Sequence, residues 1–265
     1  MLETIQILDI TKAAYEAGKK ILEVYDTDFQ VETKEDASPL TLADRKSHEI
    51  IVKHLSQSYP SIPILSEEGQ HLPFEERKKW NTLWIVDPLD GTKEFVNRNG
   101  EFTVNIALVH NQKPILGVIY VPVKDEMYFS NQLGAFKINQ YSTHQLTSEE
   151  DLLAVSPKIK VGHEGPYIVV ASRSHLSPET ETFVGSLKKE HGEVDMISAG
   201  SSLKFCLVAE GKANVYPRFA PTMEWDTAAG QAIVEAAGGE VIDAKTNQPL
   251  LYNKEQLVNG WFIVR

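Results

Sequence analysis

The stretch that most limits how this chain can fold is WIVDPLDGTKEF, residues 84–95. Three apolar residues typical of a buried β-strand run directly into Asp87 and Asp90, which are separated by a proline and a leucine. The proline fixes one backbone angle, and Gly91 permits a turn or a close approach of the backbone to a ligand. Such a turn can direct both carboxylates and the carbonyl oxygen of Leu89 at one point. The stretch therefore predicts a strand that ends in a functional loop, as is usual in α/β folds.

Oxygen ligands of this kind suit Mg²⁺, which prefers carboxylates, water and substrate phosphate. If Gly91, Thr92 and Lys93 open a helical turn, their N–H groups would meet an anion there. A β-turn with solvated aspartates is the alternative. An EF-hand is not indicated, because its loop needs acidic or amide residues at every second position. The complete string DPLDGT favours a functional role.

The charge of the chain limits its partners. The formal net charge is −11 over 265 residues, so nucleic-acid polymers and anionic membranes are repelled at long range. A small anionic substrate stays compatible, provided that metal ions or clustered Lys and Arg residues supply local positive charge. The sequence does not determine an oligomeric state.

The chain contains no apolar run long enough to cross a bilayer and no pattern of a secretory signal. Its one cysteine, Cys206, cannot form an internal disulfide and lies among apolar neighbours, which predicts a buried, inert thiol. We therefore expect a cytoplasmic protein, for which peripheral association with the inner membrane is conceivable although nothing in the sequence supplies an anchor.

The first part of the chain predicts helices that cover one sheet. Apolar residues at helical spacing indicate a helix from Ile7 to Tyr25 and a second that starts near Thr41, its predicted cap, and runs to Pro60. The charge run from Glu75 to Lys79 predicts a solvated surface. Short apolar runs separated by Asn, Gly and Pro predict an antiparallel meander of strands at 62–66, 83–87, 102–109, 115–121, 127–130 and 134–138.

After about residue 150 strands and helices alternate, which implies a second α/β layer set. We therefore divide the chain into an N-terminal α+β half, 1–150, and a C-terminal α/β half, 151–265. The pattern predicts strands at 167–172, 194–198, 213–216 and 239–243, and helices near 200–211 and 226–237.

Four motifs occur in an order that resembles the inositol monophosphatase superfamily of lithium-sensitive, Mg²⁺-dependent phosphomonoesterases. They are LTLADRKS (40–47), LSEEG (65–69), DPLDGT (87–92) and EWDTAAGQAIVEAAGG (224–239). Within the superfamily, DPLDGTKEFVNRNGEFTVNIALV, SRSH, GSSLKFCLVAEG and YPRFAPTMEWDTAAG resemble the CysQ-type subgroup of 3′(2′),5′-bisphosphate nucleotidases. The resemblance implies the layered α/β/α/β/α sandwich of the inositol monophosphatase and fructose-bisphosphatase type, with the active site between the two halves.

The resemblance also implies roles for residues. Two Mg²⁺ ions would be held by Glu67, Asp87, the Leu89 carbonyl, Asp90 and Asp226, with Asp87 bridging them and a third ion possible near Glu67. Asp44 and Thr92 would orient and deprotonate the attacking water, and Glu67 is counted with them as catalytic. The implied substrate contacts are Glu67, Leu89, Asp90, Gly91, Thr92, His175, Ser201, Lys204, Arg218 and Asp226.

Each of these residues also has an ordinary structural explanation. Asp226 is the kind of residue that caps a following helix, and Asp44 is typical of the first turn of one. Glu67 fits a surface position, and a single His, Lys or Arg is often structural or solvated. GSSLKF resembles a strand-to-helix turn, whose free N–H groups favour an anion.

The implied reaction is hydrolysis of the 3′-phosphate of adenosine 3′,5′-bisphosphate to AMP and phosphate, with 3′-phosphoadenylyl sulfate as a second substrate and Li⁺ as an inhibitor. This would place the enzyme in sulfur metabolism. The first alternative keeps the chemistry and changes the substrate to inositol monophosphate or another sugar phosphate. The second alternative is a non-catalytic, metal-dependent nucleotide sensor.

Overall fold

A computed structural model describes residues 5–27, 39–70, 72–171 and 177–265 of the chain. Its helices are α1 (Ile7–Tyr25), α2 (Pro39–Ser58), α3 (Phe74–Arg77), α4 (Thr92–Val96), α5 (Glu149–Ala154), α6 (Pro178–His191), α7 (Leu203–Ala209) and α8 (Glu224–Ala236). Its strands are β1 (Ile64–Ser66), β2 (Thr82–Asp90), β3 (Thr103–His110), β4 (Lys113–Val121), β5 (Glu126–Asn131), β6 (Gly134–Asn139), β7 (Lys158–Ile159), β8 (Tyr167–Ala171), β9 (Val194–Ser198), β10 (Tyr216–Arg218), β11 (Thr222–Met223), β12 (Val241–Asp243), β13 (Val258–Asn259) and β14 (Phe262–Val264).

The largest sheet contains β1 to β7 in sequence order. β1 is parallel to β2, and every later pair is antiparallel. The predicted antiparallel meander is therefore confirmed from β2 to β6 and wrong for the run at 62–66, because β1 reaches its parallel pairing with β2 through a longer connection that contains α3. Asn111 and Gln112 form the tight turn between β3 and β4 with positive φ angles of 49° and 64°. Two left-handed residues match the twist of the paired strands, which explains why polar residues that tolerate this conformation stand there.

Both faces of the large sheet are covered. Ile10, Ala14 and Ile21 on α1 face a core shared with Trp84 and Val86 of β2, and α2 joins this core. The intervening β2 residues, Leu83 and Ile85, belong to a second core on the opposite face, which α7 and α8 cover. Because the strand is buried on both sides, it reads as a continuous apolar run and not as an alternating one.

Helix α8 packs unusually close to β4. A Cβ atom added at Gly117 would lie only 2.3 Å from the carbonyl oxygen of Ala229. Glycine at this position therefore allows the helix backbone to approach the sheet, and α8 in turn carries Asp226 towards the end of β2.

Smaller sheets form the next layer. β8 is parallel to β9, β14 pairs with β10 and β12, and Val169 bridges Val215, the residue before β10. Helix α7 contacts β8 on one side, and α6 contacts β9 and β10. The order of layers is α1 with α2, the large sheet, α7 with α8, the smaller sheets and α6, so the predicted α/β/α/β/α sandwich is confirmed. The division of the chain at residue 150 stays a prediction.

Three of the boundaries that differ from the sequence-based prediction have a structural explanation. Strand β2 continues through Asp90, because a bulge keeps DPLD paired with β3. Helix α2 begins at Pro39, so Thr41 lies inside the first turn and is not its N-cap; proline suits a first turn because its N–H is not needed there. β10 begins at Tyr216, since residues 213–215 contribute only an isolated bridge.

The predicted solvated run at residues 75–79 is wrong for Arg77, which is 3% exposed. None of the helices in the described part of the chain combines the length and the apolarity that a membrane span needs. Cys206 is buried, as predicted, and burial raises the pKa of its thiol.

Candidate active site

A cavity of about 290 Å³ lies where the end of β2, the start of α4, α7 and the start of α8 meet. Its lining includes most of the predicted site residues: Glu67, Asp87, Leu89, Asp90, Gly91, Thr92, Ser201, Lys204, Arg218 and Asp226. Asp44 is not part of the lining, and His175 lies outside the described residues. The fold thus brings together groups that are up to 159 positions apart in the chain.

The bulge in β2 explains how two aspartates of one strand reach the same cavity. Asp87 pairs with Asn105 and Asp90 pairs with Thr103, so two residues of β2 are accommodated opposite one residue of β3. In a regular strand, side chains three positions apart point to opposite faces. The bulge removes this constraint, and Asp87 Oδ1 accepts a hydrogen bond from the N–H of Leu89 at 3.0 Å.

Asp90 is held by residues that the sequence did not single out. The Ser202 hydroxyl donates to Asp90 Oδ2 at 2.7 Å, and Asn105 Nδ2 donates to the Ser202 hydroxyl oxygen at 2.8 Å. The Ser202 oxygen also lies 3.2 Å from the carbonyl oxygen of Asp226. The signal for Asn105 was present in FTVNIALV, where one amide interrupts an apolar strand. Ser202 was passed over in favour of its neighbour Ser201.

Glu67 and Asp226 reach the cavity from distant parts of the chain. Glu67 follows β1 directly, and its N–H donates to the carbonyl oxygen of Val86 at 3.1 Å. Asp226 lies in the first turn of α8, where its Oδ2 accepts from the N–H of Met223 at 2.8 Å. Asp226 therefore satisfies a free N–H at the helix start, as its structural explanation requires, although from inside the helix and not from the N-cap position.

Crowding of the acids changes their protonation. Burial raises the pKa of Asp87 well above its usual range, and Asp90, Glu67, Asp226 and Asp44 raise it further. Burial, followed by Asp90, raises the pKa of Asp226 to about 7. The same two causes raise the pKa of Glu67, whose carboxylate lies within hydrogen-bonding reach of Asp87. Among the described residues, Arg218 favours the ionised form of Asp226, but burial and the neighbouring acids outweigh it. The ionised forms thus need further positive charge.

The chemistry of this donor set fits a divalent cation. Carboxylates and one carbonyl oxygen are hard ligands that suit Mg²⁺. The buried acids Glu67 and Asp87 lie within hydrogen-bonding reach of each other, so they require a proton or a cation between them. In the described part of the chain, no group of three or more His, Cys, Asp and Glu side chains could hold a metal ion as the side chains are placed.

Asp44 lies behind the cavity, on α2. Its side chain is buried, and its Oδ1 has no hydrogen-bond partner among the described residues. Burial, with the charges of Glu68 and Glu67, raises its pKa to about 8. One turn later, the Ser47 hydroxyl donates to the carbonyl oxygen of Pro88 at 2.7 Å and fixes α2 against the bulge. The free oxygen of Asp44 can therefore accept a proton.

Gly91 joins the bulge to α4 in a conformation that favours glycine, with a φ of 97°. A Cβ atom there would lie 3.2 Å from the Cα of Phe102 and from the Cβ of Ser201. Thr92 then begins α4, as the predicted helical turn requires. The N–H groups of this turn start at the edge of the acidic cavity.

Lys204 and Arg218 line the same cavity as the acids, as does Lys93 in α4. Lys204 is buried on α7, and its Nζ donates to the carbonyl oxygens of Ser201 at 2.6 Å and Ala199 at 3.3 Å. Burial is the main cause that lowers its pKa, to about 8. Arg218 Nη2 donates to the carbonyl oxygen of Pro221 at 3.4 Å, and its Nε is buried with no partner among the described residues.

Ser201 lies on the cavity wall with its hydroxyl already engaged. Its φ angle of 41° is left-handed, and its Oγ donates to the carbonyl oxygen of Glu101 at 2.7 Å. The N–H of Gly200 donates to Glu101 Oε2 at 2.9 Å. Glu101 thus fixes the turn that precedes α7, so any ligand that meets Ser201 finds an oxygen atom and not a free hydroxyl proton.

The sequence is similar to one family of known proteins. The model of the inositol monophosphatase family matches residues 1–261. The chain is 46% identical over 258 residues to the 3′(2′),5′-bisphosphate nucleotidase CysQ of Escherichia coli O6:H1, covering 96% of this chain and 97% of that protein. It is 47% identical over 257 residues to the protein of the same name from Salmonella typhimurium, with the same coverages.

Solved structures agree with these sequence matches. CysQ from Bacteroides thetaiotaomicron, described as a bacterial member of the inositol monophosphatase family, superimposes with a TM-score of 0.91 at 54% identity. The match covers 97% of this chain and 96% of that one. The extragenic suppressor protein suhB from Bartonella henselae superimposes with a TM-score of 0.72 at 27% identity, covering 97% and 92% of the two chains.

Proposed function

Because this chain belongs to the inositol monophosphatase family, we propose that the acidic cavity is the active site of a 3′(2′),5′-bisphosphate nucleotidase. The enzyme hydrolyses the 3′-phosphate of adenosine 3′,5′-bisphosphate and releases AMP and phosphate. The observation that carries this proposal is that four acids, Glu67, Asp87, Asp90 and Asp226, line the same cavity as the cationic residues Lys93, Lys204 and Arg218. A bisphosphate needs both kinds of residue, because acids that hold metal ions serve the phosphate that reacts and cationic side chains bind the phosphate that stays. We propose 3′-phosphoadenylyl sulfate as a second substrate.

Enzymes of this family depend on a metal ion, typically Mg²⁺. We propose that Glu67, Asp87, the Leu89 carbonyl, Asp90 and Asp226 hold two or three such ions. When bound, Mg²⁺ would neutralise these acids, lower the pKa of a water molecule and stabilise the charge that develops on the phosphate oxygens. Asp90 would bind an ion with little rearrangement, because the Ser202 hydroxyl already orients its carboxylate.

Asp44 and Thr92 are proposed to prepare the attacking water. The unpartnered Oδ1 of Asp44 can accept the proton that the water loses, directly or through the Thr92 hydroxyl. A pKa raised by burial makes Asp44 a strong proton acceptor once it is ionised. The water oxygen then bonds to phosphorus while the bond from phosphorus to the ribose 3′-oxygen breaks, and that oxygen takes up a proton from solvent water to become the hydroxyl of AMP.

The cationic residues of the cavity are proposed to select the substrate. Lys204 and Arg218 would bind the 5′-phosphate, and Ser201 stays a predicted contact whose hydroxyl proton is already donated to the carbonyl oxygen of Glu101. His175 stays a predicted contact, since it lies outside the described residues. Lysine and arginine recognise phosphate through charge-assisted hydrogen bonds, which are the stronger class in proteins.

Replacing Lys204 tests this selection. Lys204→Ala is expected to raise KM for the bisphosphate by about tenfold or more, because a hydrogen bond to a charged group contributes about 1.5–3 kcal/mol. Turnover of adenosine 3′-monophosphate by the same variant is the internal control and should change little. Equal losses on both substrates would contradict a role in binding the second phosphate.

The substrate itself is tested with a panel of phosphate esters. Phosphate release is measured from adenosine 3′,5′-bisphosphate, 3′-phosphoadenylyl sulfate, inositol monophosphate and fructose bisphosphate, each with Mg²⁺ and with EDTA. The adenosine bisphosphate should have the highest kcat/KM. Faster turnover of inositol monophosphate would contradict the nucleotidase and support an inositol monophosphatase. Binding of the nucleotide without hydrolysis in a single-turnover experiment would instead support a nucleotide sensor. A cytoplasmic location stays a prediction.

A further inference from the structure

A buried polar cluster lies outside the cavity and joins three separate segments of the chain. Arg77, at the end of α3, donates to the side-chain oxygen of Asn253 at 2.7 Å, and Asn253 Nδ2 returns a bond to the carbonyl oxygen of Arg77 at 2.7 Å. The same guanidinium donates to the carbonyl oxygens of Leu72 at 3.0 Å and Lys254 at 3.2 Å. A lysine could not make these bonds, because only arginine offers several donors in one rigid plane.

Glu224 completes the cluster from α8. It is fully buried, yet its carboxylate accepts from the N–H of Asn253 at 2.6 Å, the N–H of Lys254 at 3.0 Å and the Lys254 ammonium at 2.7 Å. The Lys254 ammonium also donates to Asn259 Oδ1 at 2.9 Å. A buried carboxylate that loses these donors would be left with an uncompensated charge, so the cluster tolerates little displacement.

The cluster is continuous with two of the proposed metal ligands. Glu224 is the first residue of α8, and Asp226 follows two positions later in the same turn. Trp225, between them, belongs to the same buried core as Leu65, which lies two positions before Glu67. Arg77 follows Glu67 by ten positions. The cluster therefore ties the start of α8 to the segment that follows Glu67.

From this arrangement we infer that Arg77, Asn253, Glu224 and Lys254 are positioning residues that set the distance between Glu67 and Asp226. The inference rests on the proposed role of these two acids in holding Mg²⁺. None of the four cluster residues would touch the ion or the phosphate. Residues that orient metal ligands from behind typically contribute about 10–100-fold to metal affinity.

The test compares metal dependence with stability in four proteins: the wild type, Glu224→Gln, Arg77→Lys and Lys254→Gln. Two quantities are measured for each, the Mg²⁺ concentration that gives half-maximal phosphate release and the rise in melting temperature that Mg²⁺ produces. Glu224→Gln and Arg77→Lys should raise the half-maximal Mg²⁺ concentration by about tenfold or more and reduce the rise in melting temperature. KM for the nucleotide at saturating Mg²⁺ should be unchanged.

Lys254→Gln covers the case in which the two more severe variants do not fold. Its side chain is 32% exposed, and the backbone N–H bonds to Glu224 stay intact. This variant should fold and should raise the half-maximal Mg²⁺ concentration by a smaller factor, about two- to fivefold.

A second buried ion pair supplies the matched control. Lys137 Nζ lies 3.1 Å from Glu210 Oε2, with both side chains largely buried, and neither residue lines the cavity. Glu210→Gln should lower the melting temperature without changing the Mg²⁺ dependence. Cluster variants that behave like Glu210→Gln would overturn the positioning role. A wild-type protein that shows no response to Mg²⁺ would instead overturn the proposed function.

Discussion

Asp87 is the acid of the cavity that interacts with four other carboxyl groups. It is 1% exposed, and its pKa is raised first by burial and then by Asp90 of the same strand and by three acids from other segments, Glu67, Asp226 and Asp44. An acid in this position is stabilised in its charged form by nearby positive charge. This placement supports its proposed role as a metal ligand.

Asp87→Asn is therefore expected to lower kcat by more than about 100-fold, since even residues behind metal ligands contribute 10–100-fold. The amide keeps the size of the side chain and removes the charge, so the variant should fold. Steady-state phosphate release at increasing Mg²⁺ concentrations measures the effect. A kcat within about fivefold of the wild-type value would contradict the proposed role of Asp87 as a metal ligand.

The metal-free protein is expected to become less stable as the pH rises from about 4 to about 8. Unfolded carboxyl groups lose their protons near pH 4, whereas burial, as the main cause, holds the pKa of Asp226 at about 7 and that of Asp44 at about 8. In this window the folded chain binds more protons than the unfolded chain, so the free energy of unfolding decreases with increasing pH. Melting temperatures measured in EDTA across this window check the slope.

Mg²⁺ should oppose this pH effect, because it favours the ionised acids of the folded chain. The melting temperature should thus fall less between low and high pH with Mg²⁺ than with EDTA. Asp226→Asn provides the comparison and should have a shallower slope in EDTA. Parallel curves with and without the metal would argue against binding by these acids.

The limits of sequence reasoning are visible at the scale of single residues. Most predicted site residues line one cavity, because acids and a glycine clustered after a strand carry a strong local signal. Asn105 and Ser202 orient Asp90 through contacts across 97 and 112 positions, which no local pattern encodes. The burial of Arg77 depends in the same way on partners 176 positions away.

At the scale of elements, periodicity identified the longer helices and the strands from β1 to β6, whereas the short elements α3, α5, β7 and β14 were not predicted. The strand β9 has the predicted bounds. The end of β2 was missed because a bulge continues the pairing through a proline, and the start of α2 was missed because the helix already includes Pro39, two positions before the predicted cap. End points depend on tertiary pairing more than on local composition.

The close packing of α8 on β4 leads to a prediction about stability. Gly117→Ala is expected to lower the free energy of unfolding by about 1–3 kcal/mol, because the new methyl group would overlap the carbonyl oxygen of Ala229. Urea denaturation measures the change. Activity should fall as well, since α8 carries Asp226.

Gly185→Ala is the matched control for this prediction. Gly185 lies within α6, and no heavy atom lies within 4 Å of a Cβ added there. Alanine favours a helix over glycine by about 0.5–1 kcal/mol, so this variant should be as stable as the wild type or more stable. Equal destabilisation of both variants would mean that the contact with Ala229 is not the cause.

At the scale of the whole molecule, the proposed metal ligands and the proposed proton acceptor Asp44 come together only when α2, β1, β2 and α8 are all in place. Treatment with EDTA should therefore abolish phosphate release and lower the melting temperature, and Mg²⁺ should restore both. Li⁺ should inhibit in the presence of Mg²⁺ by occupying one of the proposed ion positions. Activity that persists in EDTA, or that Li⁺ does not affect, would contradict the proposed chemistry.

The outer strands of the large sheet have a consequence for association between molecules. β1 has three residues and β7 has two, whereas the strands between them have six to nine. A sheet grows by adding strands to unpaired backbone groups at its margins, and margins this short offer few of them. The short outer strands thus protect this sheet against edge-to-edge pairing with another molecule, the step by which β-rich chains form fibrils.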